Sequence, residues 1–215
     1  MIGVVVPAHD EAELLPACLA GLRRAAARVD ERVVVVVAAD TCTDPTAALA
    51  RAAGAHVVTL RARCVGAARR AAAARALALG ADWLASTDAD TVVDAAWLHT
   101  QRALDADAVC GTVTVDDWSP HDEGVRRAFA ATYRAVEGHA HVHGANLGVS
   151  AAAYTGVGGW AALPVGEDVA LVTALQAAGR RVVWSTAPCV VTSARRDARA
   201  AGGFGDHLLG LARPA

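Results

Sequence analysis

Apolar and polar positions fall into short alternating blocks along the first half of the chain. "IGVVVP" (2–7), "RVVVVVAA" (32–39), "HVVTL" (56–60), "DWLAS" (82–86) and a run near 107–115 are largely β-branched or apolar and are bounded by polar stretches. Such runs predict strands buried on both faces. Between them, apolar residues recur at helical spacing over 11–28, 65–79 and near 95–104. The first of these segments carries acids at its start, and Pro16 would delay or kink it. Asp44-Pro45 reads as an N-cap followed by proline at the first helical position. Strands that alternate with helices predict an α/β domain with a mostly parallel central sheet, flanked by helices and joined by right-handed crossovers.

From 116 the pattern weakens. A helix is expected near 123–137, an extended stretch in "HAHVHGANLGVS" (139–150) and a turn in "TGVGGW" (155–160). "GEDVALVTALQAAG" (166–179) predicts a helix with acids at its start and Gly179 as its stop. "RRVVWS" and "CVVTS" predict two short strands, and "FGDHLLGLA" a final helix. No repeat, linker or low-complexity tail divides the 215 residues, so one domain is expected.

In a doubly wound sheet, ligands bind beyond the carboxyl ends of the strands. The four segments at those ends are "PAHDE", "ADTCTD", "RARCVGAARR" and "TDAD", all rich in polar residues. The last places Asp88 and Asp90 one residue apart at the end of an apolar strand. Two such carboxylates repel unless a cation lies beside them. A hard divalent cation, Mg²⁺ or Mn²⁺, is the usual solution, since it takes one or two carboxylates and completes its shell with phosphates and water. Asp-x-Asp also occurs in solvated loops, and its place after a strand is what makes it informative.

Composition narrows the field. Net charge is -2 and pI about 6.4, so no basic field points to nucleic acid or an anionic membrane. No apolar run approaches the ~20 residues that span a bilayer, and Met1 leads straight into a strand without an export signal. Cys18, Cys42, Cys64, Cys110 and Cys189 are scattered and odd in number, which suits reduced thiols in the cytoplasm. All 20 basic residues are arginine, so neither a Schiff-base lysine nor a P-loop lysine exists.

In their order, "VVVPAHDEAELLPACL", "ADTCTD", "GAARR", "STDAD", "GANLGVS" and "GEDVAL" resemble family 2 glycosyltransferases of the GT-A fold, over residues 1 to about 185. The resemblance implies inverting transfer of a sugar from a UDP- or GDP-sugar to a hydroxyl or amine acceptor, with Mn²⁺ or Mg²⁺. It implies a nucleotide-binding half over 1–115 and a smaller acceptor-side region over 116–215. By position, Pro7, Ala8 and Glu11 would line the nucleotide pocket, although Asp10 stands where the family more often has Asn. Asp40 would accept from the base's ring N–H, and Cys42 replaces the usual small residue. Arg69, ahead of Arg70, would reach the base or diphosphate. Asp88 would contact the nucleoside and Asp90 the metal. Asp168 resembles the general base, with Glu167 beside it. Asn146 would lie near the donor sugar or acceptor.

Plainer readings stand beside these. Asp168 could simply cap its helix, and Asp40 and Asp44 the helix after Pro45. Asn146 could satisfy buried backbone. His139, His141 and His143 at period two would share a face, as zinc ligands or as the acceptor wall. Arg195, Arg196 and Arg199 precede Gly202, Gly203 and Gly205, which suits either a hinged lid or a solvated basic segment. In the lid reading Arg195 or Arg196 would clamp the diphosphate and His207 would supply a metal ligand. A sugar-nucleotide pyrophosphorylase would need a catalytic lysine, and a dinucleotide oxidoreductase a glycine-rich first loop. A degenerate nucleotide-sugar-binding module, or a subunit completed by a partner or a second copy, is the non-catalytic alternative.

Overall fold

The computed structural model describes residues 1–197 and 202–212. In the first half β1 (Ile2–Ala8), α1 (Leu15–Ala26), β2 (Val33–Asp40), α2 (Thr46–Ala52), β3 (His56–Leu60), α3 (Val65–Ala78) and β4 (Trp83–Ser86) alternate as the hydrophobic pattern predicts. Helix α1 starts at Leu15 with Pro16 in its first turn, so Glu11 and Glu13 lie ahead of it rather than inside it. Asp44 accepts from the Thr46 N–H at 2.9 Å and from the Ala12 N–H at 2.9 Å, so it caps α2 and ties the first loop to it.

The second half adds β5 (Thr91–Val93), α4 (Trp97–Ala103), β6 (Ala108–Thr114), α5 (Glu123–Thr132), a 3-10 turn (Gly144–Asn146), β7 (Leu147–Ser150), α6 (Ala151–Gly156), α7 (Glu167–Ala177), β8 (Val182–Thr192) and α8 (Phe204–Leu211). All eight strands form one sheet in the order β3-β2-β1-β4-β7-β6-β8-β5. The pairings among β1 to β4 are parallel, as is β6 with β8; β7 runs antiparallel to β4 and β6, and β5 antiparallel to β8.

The strand period sorts the core into two layers. Ile2, Val4 and Val6 of β1 pack with Leu15, Cys18, Leu22 and Trp97 on one face. Val5 packs with Ala68, Ala72 and Ala76 of α3 on the other. Both faces are covered, so the strands carry no polar alternation. A third cluster, with Val125, Phe129 and Leu208, seats α5 and α8 together.

Two expectations need correction, and two short elements were not foreseen. β8 is one strand across Pro188, not two: the register with β6 shifts between Cys110 and Thr112, and this irregularity absorbs the proline that cannot donate. Strand β5 and helix α6 were not foreseen; β5 is three residues long and α6 six, too short for a periodic signal. His139 to His143 are not a strand. Their rings nonetheless share one side: Tyr133 stacks on His141 at 4.1 Å between centroids, and His139 and His143 flank His141 at 5.3 and 5.9 Å.

Candidate active site

The carboxyl ends of β1, β2 and β4 open on a cavity of about 880 Å³, closed opposite by the 3-10 turn, the start of α7 and the start of α8. Pro7, Ala8, Glu11, Asp40, Arg69, Asp88, Asp90, Glu167, Asp168, Arg195 and His207 all line it. These side chains come from nearly the whole length of the chain.

Two arginines separate four of its carboxylates. Arg69, on α3, is 3% exposed. Its Nε donates to Glu167 at 2.9 Å, its Nη1 to the Ser86 hydroxyl at 2.7 Å and the Gly144 carbonyl at 3.0 Å, and its Nη2 to Asp88 at 2.7 Å. The Trp160 ring lies 5.4 Å from the guanidinium carbon. A Cβ at residue 144 would overlap that guanidinium, which is why the turn carries Gly144. Arg195, in the segment after β8, donates through Nη1 to Glu11 at 2.9 Å, and through Nη2 to Glu11 and to Asp90, the latter at 2.8 Å. Asp88 and Asp90 thus sit in the tight connection between β4 and β5, each facing its own guanidinium.

The electrostatics follow. Burial pushes Asp90 up to about 6, helped by Asp88 and opposed by Arg195. Burial raises Glu167 as well, against the pull of Arg69. Burial alone would lower Arg69, but Asp88 and Glu167 outweigh it and hold the guanidinium charged. Asp40 is raised by burial, and N–H groups of Cys64, Ala62 and Arg63 more than reverse this. Its carboxylate accepts from Ala62 at 2.7 Å and Cys64 at 2.9 Å, pinning the loop after β3. Asp168 accepts from the Gly144 N–H at 2.7 Å and its own neighbour Val169 at 2.8 Å, and stays partly open to the cavity.

Several residues do not stand where the sequence pointed. Arg69 spends its guanidinium on protein acceptors, so it organises the cavity floor instead of reaching out for a diphosphate. Asn146 is fully buried outside the cavity: it accepts from Trp97 Nε1 at 2.8 Å and donates to the Thr112 and Pro188 carbonyls at 2.7 Å each. It ties β6 to β8, which is its plainer reading. Arg196 is exposed and off the cavity lining, and Arg199 lies outside the described residues. His139, His141 and His143 bring no three donor atoms together. His141 and His143 form part of the cavity wall with Tyr133, whose hydroxyl meets His143 Nε2 at 3.0 Å; His139 is buried behind them, off the lining. Tyr133, Ser86 and Trp160 were missed, because nothing in a lone aromatic or hydroxyl marks it as the partner of a residue elsewhere in the chain.

A mixed sheet whose parallel strands β1, β2 and β4 end at a carboxylate-rich cavity defines an α/β domain with its ligand site at the strand ends. Residues 3–154 match the family model "Glycosyl transferase family 2", and the chain belongs to that family. No curated protein matches the sequence. Among solved structures, S. aureus TarS 1–349 in complex with UDP-GlcNAc superimposes with TM-score 0.69 at 13% identity, covering 98% of this chain and 64% of that one. Glucosyl-3-phosphoglycerate synthase from Mycobacterium tuberculosis, in complex with Mn²⁺, UDP-glucose and phosphoglyceric acid, superimposes with TM-score 0.59 at 18% identity, covering 91% of this chain and 72% of that one. This chain therefore spans about two thirds of those structures, and at such identities they share its fold. No helix among the described residues is long and apolar enough to cross a membrane.

Two expectations follow from this geometry. Arg69→Met leaves Glu167 buried without its cation and should cost about 3–5 kcal/mol in chemical denaturation; adding Glu167→Gln should restore a substantial part. His143 is pushed down to about 4, chiefly by burial, with His141 and His139 adding to it. The unfolded chain then binds a proton that the folded chain refuses, so stability should fall as pH drops from the ordinary histidine range near 6.5 toward 4. Thermal denaturation across that window should show a shallower acid limb in His143→Phe.

Proposed function

We propose that this domain transfers a sugar from a nucleotide-diphosphate donor to a hydroxyl or amine acceptor with inversion, using a divalent cation. The observation that carries this reading is the gathering of Asp88, Asp90 and Asp168 around one cavity at the carboxyl ends of β1, β2 and β4. The bound UDP-GlcNAc and UDP-glucose in the two relatives support a uridine donor.

In this reading Pro7, Ala8 and Asp40 bound the nucleoside end, and residues 1–115 form the nucleotide half. The acceptor enters from the side of 116–215, past the Tyr133 and histidine wall. Asp168 takes the acceptor's proton: its carboxylate is fixed by the Gly144 N–H yet remains open to the cavity. Glu167 acts through Arg69 and is a positioning residue. Attack from the Asp168 side, with the diphosphate leaving on the opposite face, inverts the anomeric carbon.

The residues present fit a divalent cation. Asp90 is a buried carboxylate pushed up to about 6 by burial and by Asp88, against the pull of Arg195, so a cation beside it would favour its charged form. A cation of the Mg²⁺ or Mn²⁺ type needs only one or two protein carboxylates when a diphosphate completes its shell. Asp90 would hold it, with Asp88 and His207 on the same cavity. When bound it would stabilise the charge that develops on the leaving diphosphate. Arg195 must then share or leave Asp90, and can pair with the diphosphate instead.

Calorimetric titration of UDP and GDP, each with and without Mn²⁺, tests the reading. Metal-dependent binding of UDP, lost in Asp90→Ala, is expected; no binding of either nucleotide by folded protein would favour a degenerate module instead. Asp168→Asn should keep the nucleotide affinity and lower turnover by about 10²–10⁴-fold, the range for removal of a general base. Unchanged turnover in that variant would leave Asp168 as a helix cap only.

A further inference from the structure

The loops after β1 and β2 bring together three side chains that the transferase reading does not use. His9, Asp10 and Cys42 each offer one ligand atom, and these atoms all lie within 4.8 Å of one another. Among the described residues no other group of three histidine, cysteine or acidic side chains does so.

His9 shows what the cluster lacks. Its Nδ1 faces the Asp40 carbonyl at 2.8 Å. A carbonyl oxygen only accepts, so Nδ1 carries the proton, and the neutral ring presents a lone pair at Nε2. That lone pair points toward Asp10 Oδ2, 3.9 Å away. Asp10 Oδ2 also accepts from the Thr43 hydroxyl at 3.2 Å, and its remaining lone pairs can share a cation with Nε2, either a proton on the imidazole or a metal ion. An imidazole that donates one nitrogen to a backbone carbonyl and offers the other is the usual arrangement of a metal-bound histidine. Asp10 is likewise held from behind, its Oδ1 accepting from the Thr43 N–H at 2.6 Å and the Asp44 N–H at 3.2 Å. The Cys42 thiol makes long contacts to the Ala8 carbonyl at 3.5 Å and the Asp40 carbonyl at 3.9 Å.

We propose that His9, Asp10 and Cys42 form a site for a thiophilic divalent cation of the zinc class. One nitrogen, one carboxylate oxygen and one thiolate suit zinc and not the all-oxygen preference of Mg²⁺. The three side chains are partly buried, not sealed, so a cation can enter and a fourth ligand position stays open to solvent or a ligand. Binding would release the Cys42 proton to solvent and cross-link the two loops that form one wall of the cavity. His9 lines the same cavity as Asp90, but none of the three side chains is given a role in the transferase reading.

Titration of the purified protein with Co²⁺ tests this directly. One cation per chain should produce a thiolate-to-cobalt charge-transfer band, displaced by Zn²⁺. Cys42→Ser and His9→Ala should each lose the band while keeping the far-ultraviolet circular dichroism of the parent, and Asp90→Asn should retain it. Should Cys42→Ser fail to fold, His9→Ala alone decides. No band in the parent protein would overturn the proposal, leaving a proton between His9 and Asp10. A band that survives Cys42→Ser and His9→Ala would overturn it too, since another cysteine would then be the ligand.

Discussion

The Arg69 guanidinium is the constraint on which the rest of the cavity depends. It is buried, and it joins the first helix turns of α3 to the end of β4 through Ser86, to the 3-10 turn through Gly144, to α7 through Glu167 and to the carboxylate pair through Asp88. A buried charge is tolerated only when its partners and geometry are nearly complete. Each of those four segments is therefore held in position by the same requirement. Trp160 beneath the guanidinium and the missing Cβ at Gly144 are the packing conditions that let it sit there.

Arg195 solves a similar problem by a different route. It comes from the segment after β8, 184 residues beyond Glu11, and bridges Glu11 to Asp90. It is more exposed than Arg69, 19% against 3% for the side chain, and stands on a loop instead of a helix. One arginine is thus built into the floor from a helix, while the other is held from a loop by Glu11 and Asp90.

The first half of the chain was legible because its signals are local. Four apolar runs separated by helical periodicity specify parallel strands, and their right-handed connections bring every following loop to one edge. The carboxylates of "TDAD" could be assigned to that edge from their place after a strand, whereas those of "GED" were assigned only through resemblance to the family. Short elements failed for the opposite reason: β5, α6 and the continuity of β8 through Pro188 are set by partners across the sheet, not by their own periodicity. The three histidines did share a side, but as a ring stack on Tyr133 in an irregular stretch.

Sequence by itself determined the layer architecture, the edge where polar loops collect, and the residue types that collect there, because periodicity and burial act over a few residues. Only the tertiary structure decided which charge meets which. Arg69 was expected to face a ligand and instead faces Asp88 and Glu167; Asn146 was expected at the cavity and instead joins β6 to β8; Arg195 found Glu11 across almost the whole chain. An ion pair depends on angstrom-scale distance between residues that folding brings together, and no spacing along the chain encodes that distance.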